Sequence, residues 1–511
     1  MEFFALLEGM KSIKNISSPG RNKLASLEKY FNNGRLNEAE KLAISLTQKF
    51  PKHQFAWKVL GIVLNQRGRI TESLIPCQKA AQLVPHDVDA HYNLGVTFEA
   101  LNRLKESEAS LLQAIALKPD FAEAHADLGN TLRQMGRLED AEAALTQAIA
   151  LKPSFAEAHA DLGNTLKEMR RFKEAEAALA QAIALKPGFA EAVNNLGVIH
   201  TAMGKLEMAE AHLRKAITLK PNSEKAHNNL GVTLREMGRS NEAETAFRQA
   251  VALNPNFDEA HINLGITLRE MGRFEESAES YKQVIALNPN NLSAYHMLAA
   301  VTGETTASAP RHYVEELFDD YAERFENSLV EVLDYKIPKI VADIMKNYED
   351  HDSSCAVLDL GCGTGLFGEE IRQHCDYLEG VDLSEKMLSE ARRKNVYDKL
   401  TREDIVDFIS DKTLNFDYFV STDVFVYMGD LSGLFRLIKS GNKKSGKLVF
   451  STESYNGEGF FLENTGRYSH SKSYIEGLCR EFGYGIRHFE THRIRKDKQQ
   501  YIKGGLYVLE F

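Results

Sequence analysis

The sequence predicts two folds in one chain: an array of short paired helices, then an α/β domain built on a mostly parallel sheet. The first observation is a fixed proline spacing of 34 residues, at Pro51, Pro85, Pro119, Pro153, Pro187, Pro221, Pro255 and Pro289. The second is a set of glycines with the same spacing: Gly61, Gly95, Gly129, Gly163, Gly197, Gly231 and Gly265. The third is a change of pattern after residue 310, where strand-like and helix-like segments alternate.

Composition and charge exclude several classes of protein. The 511 residues include 62 Lys and Arg against 72 Asp and Glu, a net charge of −10, so DNA and RNA are not expected partners. Five scattered cysteines give neither a disulfide framework nor paired zinc ligands, which predicts a reducing compartment and no metal. The first residues lack a basic leader and no stretch reaches the length of a membrane span. We therefore expect a cytoplasmic protein without a membrane partner.

One unit of the repeat shows how the pattern produces structure. His125, Leu128 and Leu132 lie at helical spacing, and a second helical pattern follows before Pro153. Gly136 falls in the turn between them, and Pro153 ends the unit because it cannot continue a helix. A single pair of helices buries too little apolar surface to be stable alone, so neighbouring units must stack.

This unit resembles the tetratricopeptide repeat, from about Pro19 to Val301. The second unit is most similar to the family pattern, with Trp57-x-x-Leu60-Gly61. The first unit is degenerate, with Leu27 in place of the glycine. We therefore assign residues 1–19 to an N-terminal segment and residues 20–301 to about eight repeats plus a capping helix.

The resemblance implies a right-handed superhelix whose concave face binds extended peptides. Two columns of polar side chains favour that use: Asn93, Asp127, Asp161, Asn195, Asn229 and Asn263, and the shorter Asn130 and Asn164. Amide side chains along a groove can hydrogen-bond a peptide backbone without reading its sequence. The alternative is that these side chains satisfy local helix groups, and the sequence does not decide between the two.

Residues 302–310 are small, polar and aperiodic, so we predict a linker there and a second domain over residues 311–511. In that domain, a predicted strand at residues 355–360 leads into Gly361-Cys362-Gly363-Thr364-Gly365. Glycines 363, 365 and 368 also satisfy the dinucleotide fingerprint, so a nicotinamide enzyme is the rival interpretation. Asp359 favours S-adenosylmethionine instead, since its carboxylate suits the ammonium of a methionine group.

Further segments at the expected distances, Gly380-Val381-Asp382, Glu403-Asp404-Ile405 and Phe416-Asp417-Tyr418, resemble class I methyltransferases. The resemblance implies a Rossmann-like domain with a mostly parallel seven-stranded sheet and S-adenosylmethionine as cofactor. Glycines 361, 363 and 365 would let the backbone approach the cofactor, whose carboxylate the next helix N-terminus favours. Asp359 would face its ammonium, often through water.

The resemblance also implies the adenosine contacts. Asp382 would accept hydrogen bonds from the ribose hydroxyls, Leu383 would pack on the adenine, and Asp404 would accept from its amine. Ile405 would cover the other adenine face, and Asp423, after the fourth strand, is counted with the cofactor-binding set. Ordinary helix capping is the alternative for Asp382 and Asp404.

The entry helix of the second domain provides a candidate lid. In related enzymes a similar segment folds over the cofactor, where Tyr321 or Phe325 would shield the sulfonium and attract it by cation–π interaction. Simple packing is the competing account for both aromatic side chains.

The residues that would bind the methyl acceptor are less clearly indicated by the sequence. The segment after the fourth strand lacks the Pro-Pro-aromatic motif of many amide and base methyltransferases. His470 is a candidate base, and Tyr427 and Tyr468 are candidates for orienting the acceptor, although a surface or capping role for His470 stays open. Three functions follow: a methyltransferase whose repeats dock a protein, peptide or carrier-bound substrate, a small-molecule O- or C-methyltransferase whose repeats serve only assembly or localisation, or an inactive scaffold.

Overall fold

The computed structural model describes residues 18–322, 325–326, 333–346, 355–410, 412–497 and 500–511. Contacts divide the chain into two compact units, Met1–Ala246 and Phe247–Phe511, so the division falls inside the repeats. The domain boundary at residues 302–310 therefore stays a prediction from composition. No helix in the described part of the chain has the length and apolar character to cross a bilayer.

The N-terminal unit consists of short paired helices. Their bounds are α1 Arg21–Asn32, α2 Leu36–Lys49, α3 Gln54–Gln66, α4 Ile70–Leu83, α5 Val88–Ala100, α6 Leu104–Leu117, α7 Ala122–Gln134, α8 Leu138–Leu151, α9 Ala156–Glu168, α10 Phe172–Leu185, α11 Ala190–Ala202, α12 Leu206–Leu219, α13 Glu224–Glu236 and α14 Ser240–Leu253, which runs across the division. These pairs confirm the predicted helical array.

The recurring glycines allow the helices of a pair to approach closely. A Cβ at Gly129 would lie 2.5 Å from Leu145 Cγ, and one at Gly163 would lie 2.6 Å from Leu179 Cγ. Both leucines are fully buried, so each glycine makes room for a leucine of the second helix. The spacing of glycine in the sequence thus reports a packing requirement.

The recurring histidines have a structural role. Their Nε2 atoms lie 3.0–3.1 Å from the proline carbonyl six residues earlier, in the pairs His91–Pro85, His125–Pro119, His159–Pro153, His227–Pro221 and His261–Pro255. A carbonyl can only accept, so each ring donates. Trp57 makes the same contact through Nε1 to Pro51. The column therefore ties each helix to the turn before it.

The C-terminal unit begins with the last repeat and continues into the α/β domain. Its helices are α15 Asp258–Glu270, α16 Phe274–Leu287, α17 Leu292–Thr302, α18 Arg311–Tyr321, α19 Ile337–Lys346, α20 Leu366–Ile371, α21 Glu385–Lys394, α22 Ile405–Ser410, α23 Ser432–Gly441 and α24 Lys472–Phe482. Its strands are β1 Ala356–Leu360, β2 Tyr377–Asp382, β3 Lys399–Arg402, β4 Tyr418–Ser421, β5 Lys447–Ser454, β6 Phe460–Leu462, β7 Tyr468–His470, β8 Gly485–Asp497 and β9 Gln500–Glu510.

The sheet is mixed. Strands run β3-β2-β1-β4-β5 in parallel, β9 pairs antiparallel with β5, and β8 pairs antiparallel with β9. The short β6–β7 hairpin pairs with the carboxyl end of β5. The predicted α/β domain is confirmed. The predicted count of seven strands is wrong, since nine strands are present among the described residues: β6 and β7 extend the sheet beside the carboxyl end of β5.

The predicted linker is tied to the α/β domain. Ala309 N donates to Tyr427 O at 3.0 Å, and Gly429 N donates to Ala307 O at 2.9 Å. Ser308 forms an antiparallel bridge with Met428. This short stretch therefore behaves as an added strand beside the loop after β4.

Candidate functional site

A cavity of about 530 Å³ lies at the carboxyl ends of β1, β2 and β4, where ligands of open α/β sheets bind. Several sequence-predicted residues line it: Gly361, Gly363, Asp382, Leu383, Asp404, Ile405, Asp423, Phe325 and Tyr427. The fold thus brings together predicted site residues that are more than sixty positions apart in the sequence.

The glycine-rich turn crosses from β1 towards β2. Gly361 N and Cys362 N both donate to Val381 O, at 2.8 and 3.0 Å. Gly361 has φ +78°, and a Cβ there would lie 2.5 Å from Val424 Cγ2. Gly363 has φ +52° and nothing within 4 Å of its Cβ position. A side chain is thus excluded at Gly361 by the protein, while Gly363 leaves open space.

Asp382, at the end of β2, fixes the turn. Its Oδ2 accepts from Gly363 N and its Oδ1 accepts from Ser384 N, both at 2.9 Å. Burial raises the pKa of Asp382, while these backbone donors oppose the rise. A carboxylate has about four acceptor sites, so two remain for a ligand. Ser384 instead caps α21, since its Oγ accepts from Met387 N at 3.1 Å.

Asp404 combines capping with a place on the cavity wall. Its Oδ1 accepts from Val406 N at 2.9 Å, at the start of α22, and its Oδ2 lies 3.2 Å from Arg311 Nε. The capping alternative is therefore present in the structure. Leu383 and Ile405 lie beside it as apolar parts of the wall.

Two aromatic side chains contribute to the cavity, one from α18 and one from a residue that follows this helix in sequence. Phe318 and Phe325 line it, and the Phe318 ring centroid is 5.3 Å from that of Tyr427. The side chain of Tyr321, the other predicted lid residue, lies outside the described residues. Phe318 was not predicted, because a helical pattern does not show which aromatic side chain faces a ligand.

Three polar contacts anchor α18 to the α/β domain. Arg311 donates to both Asp407 oxygens, at 2.5 and 2.9 Å. Arg402 donates to Glu315 at 2.6 Å, and Ser384 donates to Asp319. The helix is therefore held over the donor end of the cavity at its start, middle and end.

Asp359 is a buried carboxylate near the end of β1. It is 1% exposed, is absent from the cavity lining, and accepts a hydrogen bond from Tyr397 Oη at 2.6 Å through Oδ2. Gly365 also lies behind the turn, with a Cβ position 3.1 Å from the Tyr397 ring. Asp359 is therefore not part of the cavity wall, and its role towards an ammonium stays a prediction.

On the acceptor side, Tyr427 is the one predicted catalytic candidate among the described residues that lines the cavity. Its hydroxyl accepts from Arg467 Nη2 at 3.1 Å. Arg467, from the turn between β6 and β7, also lines the cavity and lies 3.6 Å from Glu453. Arg467 was not predicted as a site residue, since a lone arginine in a turn is usually solvated.

His470 and Tyr468 lie elsewhere, which corrects their assignment. His470 is 1% exposed, and its Nε2 donates to Met428 O and Gly429 O at 2.9 and 3.0 Å. Burial lowers the pKa of His470 to about 4. The Tyr468 hydroxyl lies 2.5 Å from Thr306 Oγ1, in the predicted linker. Neither lines the cavity. A buried histidine that serves two carbonyls cannot reach an acceptor there, so we drop it as a base.

A buried ion cluster supports the cavity floor. Arg495 is 2% exposed; its Nη1 donates to both oxygens of Asp423, at 2.7 and 2.6 Å, and its Nη2 donates to Glu453. Asp423 has φ +58° and lines the cavity. Arg495, near the end of β8, thus brings a guanidinium to the site.

In the repeats, several of the predicted peptide-binding side chains pair with one another. Asn130 Nδ2 donates to Asp161 at 2.9 Å, and Asn195 Nδ2 donates to Asn164 at 2.8 Å. Asn93, Asp127 and the paired residues are half-buried, as is Asn229, while Asn263 is buried. These two pairs each join adjacent repeats, and the peptide-binding role of the column stays a prediction.

Known proteins resemble the two parts of the chain separately. A family profile described as Methyltransferase domain matches residues 351–499, and several Tetratricopeptide repeat profiles match between residues 28 and 301. A ubiquinone biosynthesis O-methyltransferase of Idiomarina loihiensis is 27% identical over 135 residues, 25% of this chain and 54% of that protein. A malonyl-[acyl-carrier protein] O-methyltransferase 2 of Ilyobacter polytropus is 30% identical over 115 residues, 20% of this chain and 41% of that protein.

Among solved structures, the Cut9–Hcn1 hetero-tetramer of APC/C is similar over 55% of each chain, with 17% identity and a TM-score of 0.44. The chain spans about half the length of the first curated relative and less of the second. The protein therefore carries tetratricopeptide repeats followed by a methyltransferase domain.

Proposed function

We propose that the protein transfers the methyl group of S-adenosylmethionine to an oxygen acceptor that its repeats help to recruit. The observation that carries the proposal is the convergence of the glycine turn, Asp382 and Asp404 on one cavity. The match to the methyltransferase domain family supports the same reaction.

The described residues fit the donor. Asp382 keeps two acceptor sites for the ribose hydroxyls, and the open space at Gly363 leaves room for the donor beside the turn. Leu383 and Ile405 would flank the adenine, and Asp404 would accept from its amine. Phe318 and Phe325 would exclude water from the sulfonium, which supplies the electrophilic methyl group.

The acceptor we favour is an oxygen that arrives ionised, such as a carboxylate. The described residues that line the cavity include no histidine, and the Asp423 carboxylate is held by Arg495, whereas an acceptor that arrives ionised needs no base. Arg467 and Tyr427 would orient an anionic oxygen by charge-assisted hydrogen bonds. Both curated relatives described above are named O-methyltransferases, which supports oxygen as the acceptor atom.

The repeats would bind a protein, a peptide or a carrier that bears the acceptor. The column of half-buried Asn and Asp side chains supports this role, because amide and carboxylate groups at the same position of successive repeats can hydrogen-bond a peptide backbone. The alternative, a small-molecule O- or C-methyltransferase with repeats for assembly only, predicts no loss of turnover when the repeats are removed.

The donor is tested first, by calorimetry of the full chain with S-adenosylhomocysteine and with NADH as the rival ligand. Binding of the first alone is expected. NADH binding without S-adenosylhomocysteine binding would overturn the proposal. Labelled S-adenosylmethionine and a cell extract then identify the acceptor by mass spectrometry.

The docking role is tested by truncation before Asn254, which keeps α15–α17. These helices pack against the α/β domain within its compact unit, so a fragment from Arg311 would lose folding contacts as well as docking. Docking predicts at least a tenfold fall in kcat/KM on the identified acceptor for residues 254–511. Equal turnover by fragment and full chain would favour the assembly role.

A further inference from the structure

Behind the glycine turn, a tyrosine occupies the space that three glycines leave empty. A Cβ at Gly368 would lie 2.6 Å from Tyr397 Cζ, and Cβ atoms at Gly365 and Gly380 would lie 3.1 and 3.0 Å from the same ring. These glycines come from the turn, from α20 and from β2. The Tyr397 ring therefore fills the space between the turn, α20 and β2, and these three elements pack around it.

The chain around Tyr397 is fixed at the next residue. Asp398 N donates to Leu378 O at 2.9 Å, and Asp398 Oδ2 accepts from Leu378 N at 2.8 Å and from Arg372 Nη1 at 2.6 Å. Asp398 thus locks the segment onto β2. Tyr397 has little freedom to move its hydroxyl away from Asp359.

Asp359 is a buried carboxylate that is only half satisfied. Its Oδ2 accepts from Tyr397 at 2.6 Å, while its Oδ1 is buried with no partner among the described residues. No cation pairs with it there. A buried charge with an unused acceptor costs free energy unless a ligand supplies the missing positive charge.

We infer that Tyr397 is a positioning residue of the donor site, which holds Asp359 ionised and aligned behind the glycine turn so that its charge attracts the ammonium of the donor. This inference rests on the proposed function. Asp359 acts across the turn rather than by contact, because it does not line the cavity. The adenosyl part of the donor, which meets Asp382 instead, gains nothing from it.

The ionisation of Asp359 supports this role. Burial raises the pKa of Asp359 to about 7, the Tyr397 hydroxyl lowers it, and the nearby Asp382 raises it. Two further groups face it, the Cys362 thiol and the Tyr335 phenol, and burial raises the pKa of both so that they stay neutral. Without the Tyr397 hydroxyl, Asp359 would be protonated over more of the neutral range.

The test compares Tyr397→Phe with wild type by calorimetry between pH 6 and 8.5. The ring remains to fill the glycine space, so only the hydrogen bond is lost. The probes are S-adenosylhomocysteine, which carries the ammonium, and 5′-methylthioadenosine, which lacks the amino-acid group but keeps the ribose that Asp382 would bind. Tyr377→Phe is the matched control, since its hydroxyl donates to Glu379 at 2.9 Å outside the cavity.

We expect Tyr397→Phe to weaken S-adenosylhomocysteine about five- to tenfold at pH 6.5 and less at pH 8.5, because a lost hydrogen bond moves the carboxyl pKa by up to about one unit. Affinity for 5′-methylthioadenosine should not change, and Tyr377→Phe should match wild type. If Tyr397→Phe lost the same affinity for both ligands at every pH, the role of Tyr397 would be merely structural and the inference would be overturned. Unchanged affinity for both ligands would overturn it as well.

If Tyr397→Phe does not fold, Asp359→Asn replaces it, and we expect it to weaken S-adenosylhomocysteine alone, by a factor relative to wild type that grows between pH 6 and pH 8.5 as the wild-type carboxyl ionises. Equal affinity of Asp359→Asn and wild type would overturn the inference. Failure of wild type to bind either adenosyl ligand would instead refute the proposed function itself.

Discussion

The Nε2 of His296 lies 3.0 Å from the carbonyl oxygen of Gly466 and donates a hydrogen bond to it, although the two residues are 170 positions apart. His296 belongs to α17, the helix that closes the repeat array, and Gly466 precedes the cavity residue Arg467. A Cβ at Gly466 would lie 2.9 Å from Met297 Sδ. The end of the array is thus in direct contact with the turn that presents Arg467.

His296→Ala should therefore destabilise the protein. The substitution removes the donor to Gly466 O and a buried ring that packs 5.0 Å from Tyr313, a loss of about 2–3 kcal/mol. We expect the Tm to fall by about 5 °C in calorimetry and S-adenosylhomocysteine binding to stay within twofold. His312→Ala, an exposed histidine on α18, is the control. Equal melting of both variants would contradict the prediction.

Asp382→Asn should weaken the donor site without unfolding the domain. The amide keeps the size of the carboxylate but loses its charge and one acceptor oxygen. Either Gly363 N or Ser384 N, which both donate to Asp382 in the wild type, then faces an NH₂ group. Because hydrogen bonds to charged groups contribute about 1.5–3 kcal/mol, the Kd for S-adenosylhomocysteine should rise at least tenfold. Asp343→Asn, on the exposed side of α19, should bind as wild type. A change below twofold in Asp382→Asn would refute the assigned role.

The fold was largely predictable because its signals are periodic or local. The 34-residue spacing identified the helix pairs, and the turn after β1 identified the donor end of the sheet. The short strands β6 and β7 were missed since three residues carry no period, although their turn contains Arg467.

The donor site was more predictable than the acceptor site for a physical reason. Asp382 and Asp404 end or follow strands in a fixed order, so their positions follow from the sheet. Tyr397, Arg467 and Arg495 reach the site from separate loops and strands through tertiary packing, which one sequence does not display. His470 shows the converse error, because a histidine near a pocket in sequence was buried against carbonyl groups instead.

Glu99 should make the repeats less stable at alkaline pH. Burial raises its pKa to about 7, and Asp127 adds to the rise while Gln134 donates to it at 2.8 Å. Because the pKa of Glu99 is higher in the folded state than in the unfolded state, Glu99 makes its full contribution to stability below about pH 4.5. That contribution is lost as the pH rises through 7. Glu99→Gln should thus raise stability at pH 8 by on the order of 1 kcal/mol and have little effect at pH 5.

The measurement for Glu99 is the urea midpoint of the full chain at both pH values. Glu106→Gln is the control, because Arg103 lowers the pKa of that exposed carboxylate and its loss should not stabilise at pH 8. If Glu99→Gln gave no gain at pH 8, the raised pKa would not be a property of the folded array.

Arg495→Met should be the most damaging of these changes, since it removes the guanidinium that bonds two buried carboxylates. Asp423 and Glu453 are both nearly buried, and Arg467 lies 3.6 Å from Glu453, too far to replace the lost bonds. Removing one partner of a buried ion pair costs about 3–5 kcal/mol, whereas an exposed pair contributes less than about 1 kcal/mol. Arg487→Met, which breaks an exposed pair with Glu510 on the same hairpin, is the matched control.

The pH dependence of the Arg495→Met defect identifies its cause. Burial raises the pKa of Asp423 to about 6, and loss of the guanidinium would disfavour its ionised form further, so stability would be lost as the pH rises through the folded pKa. The Tm deficit should be larger at pH 8 than at pH 5.5, and the triple variant Asp423→Asn, Glu453→Gln and Arg495→Met should recover much of it. A deficit that is independent of pH, or equal to that of Arg487→Met, would show that packing rather than charge holds this hairpin against the cavity.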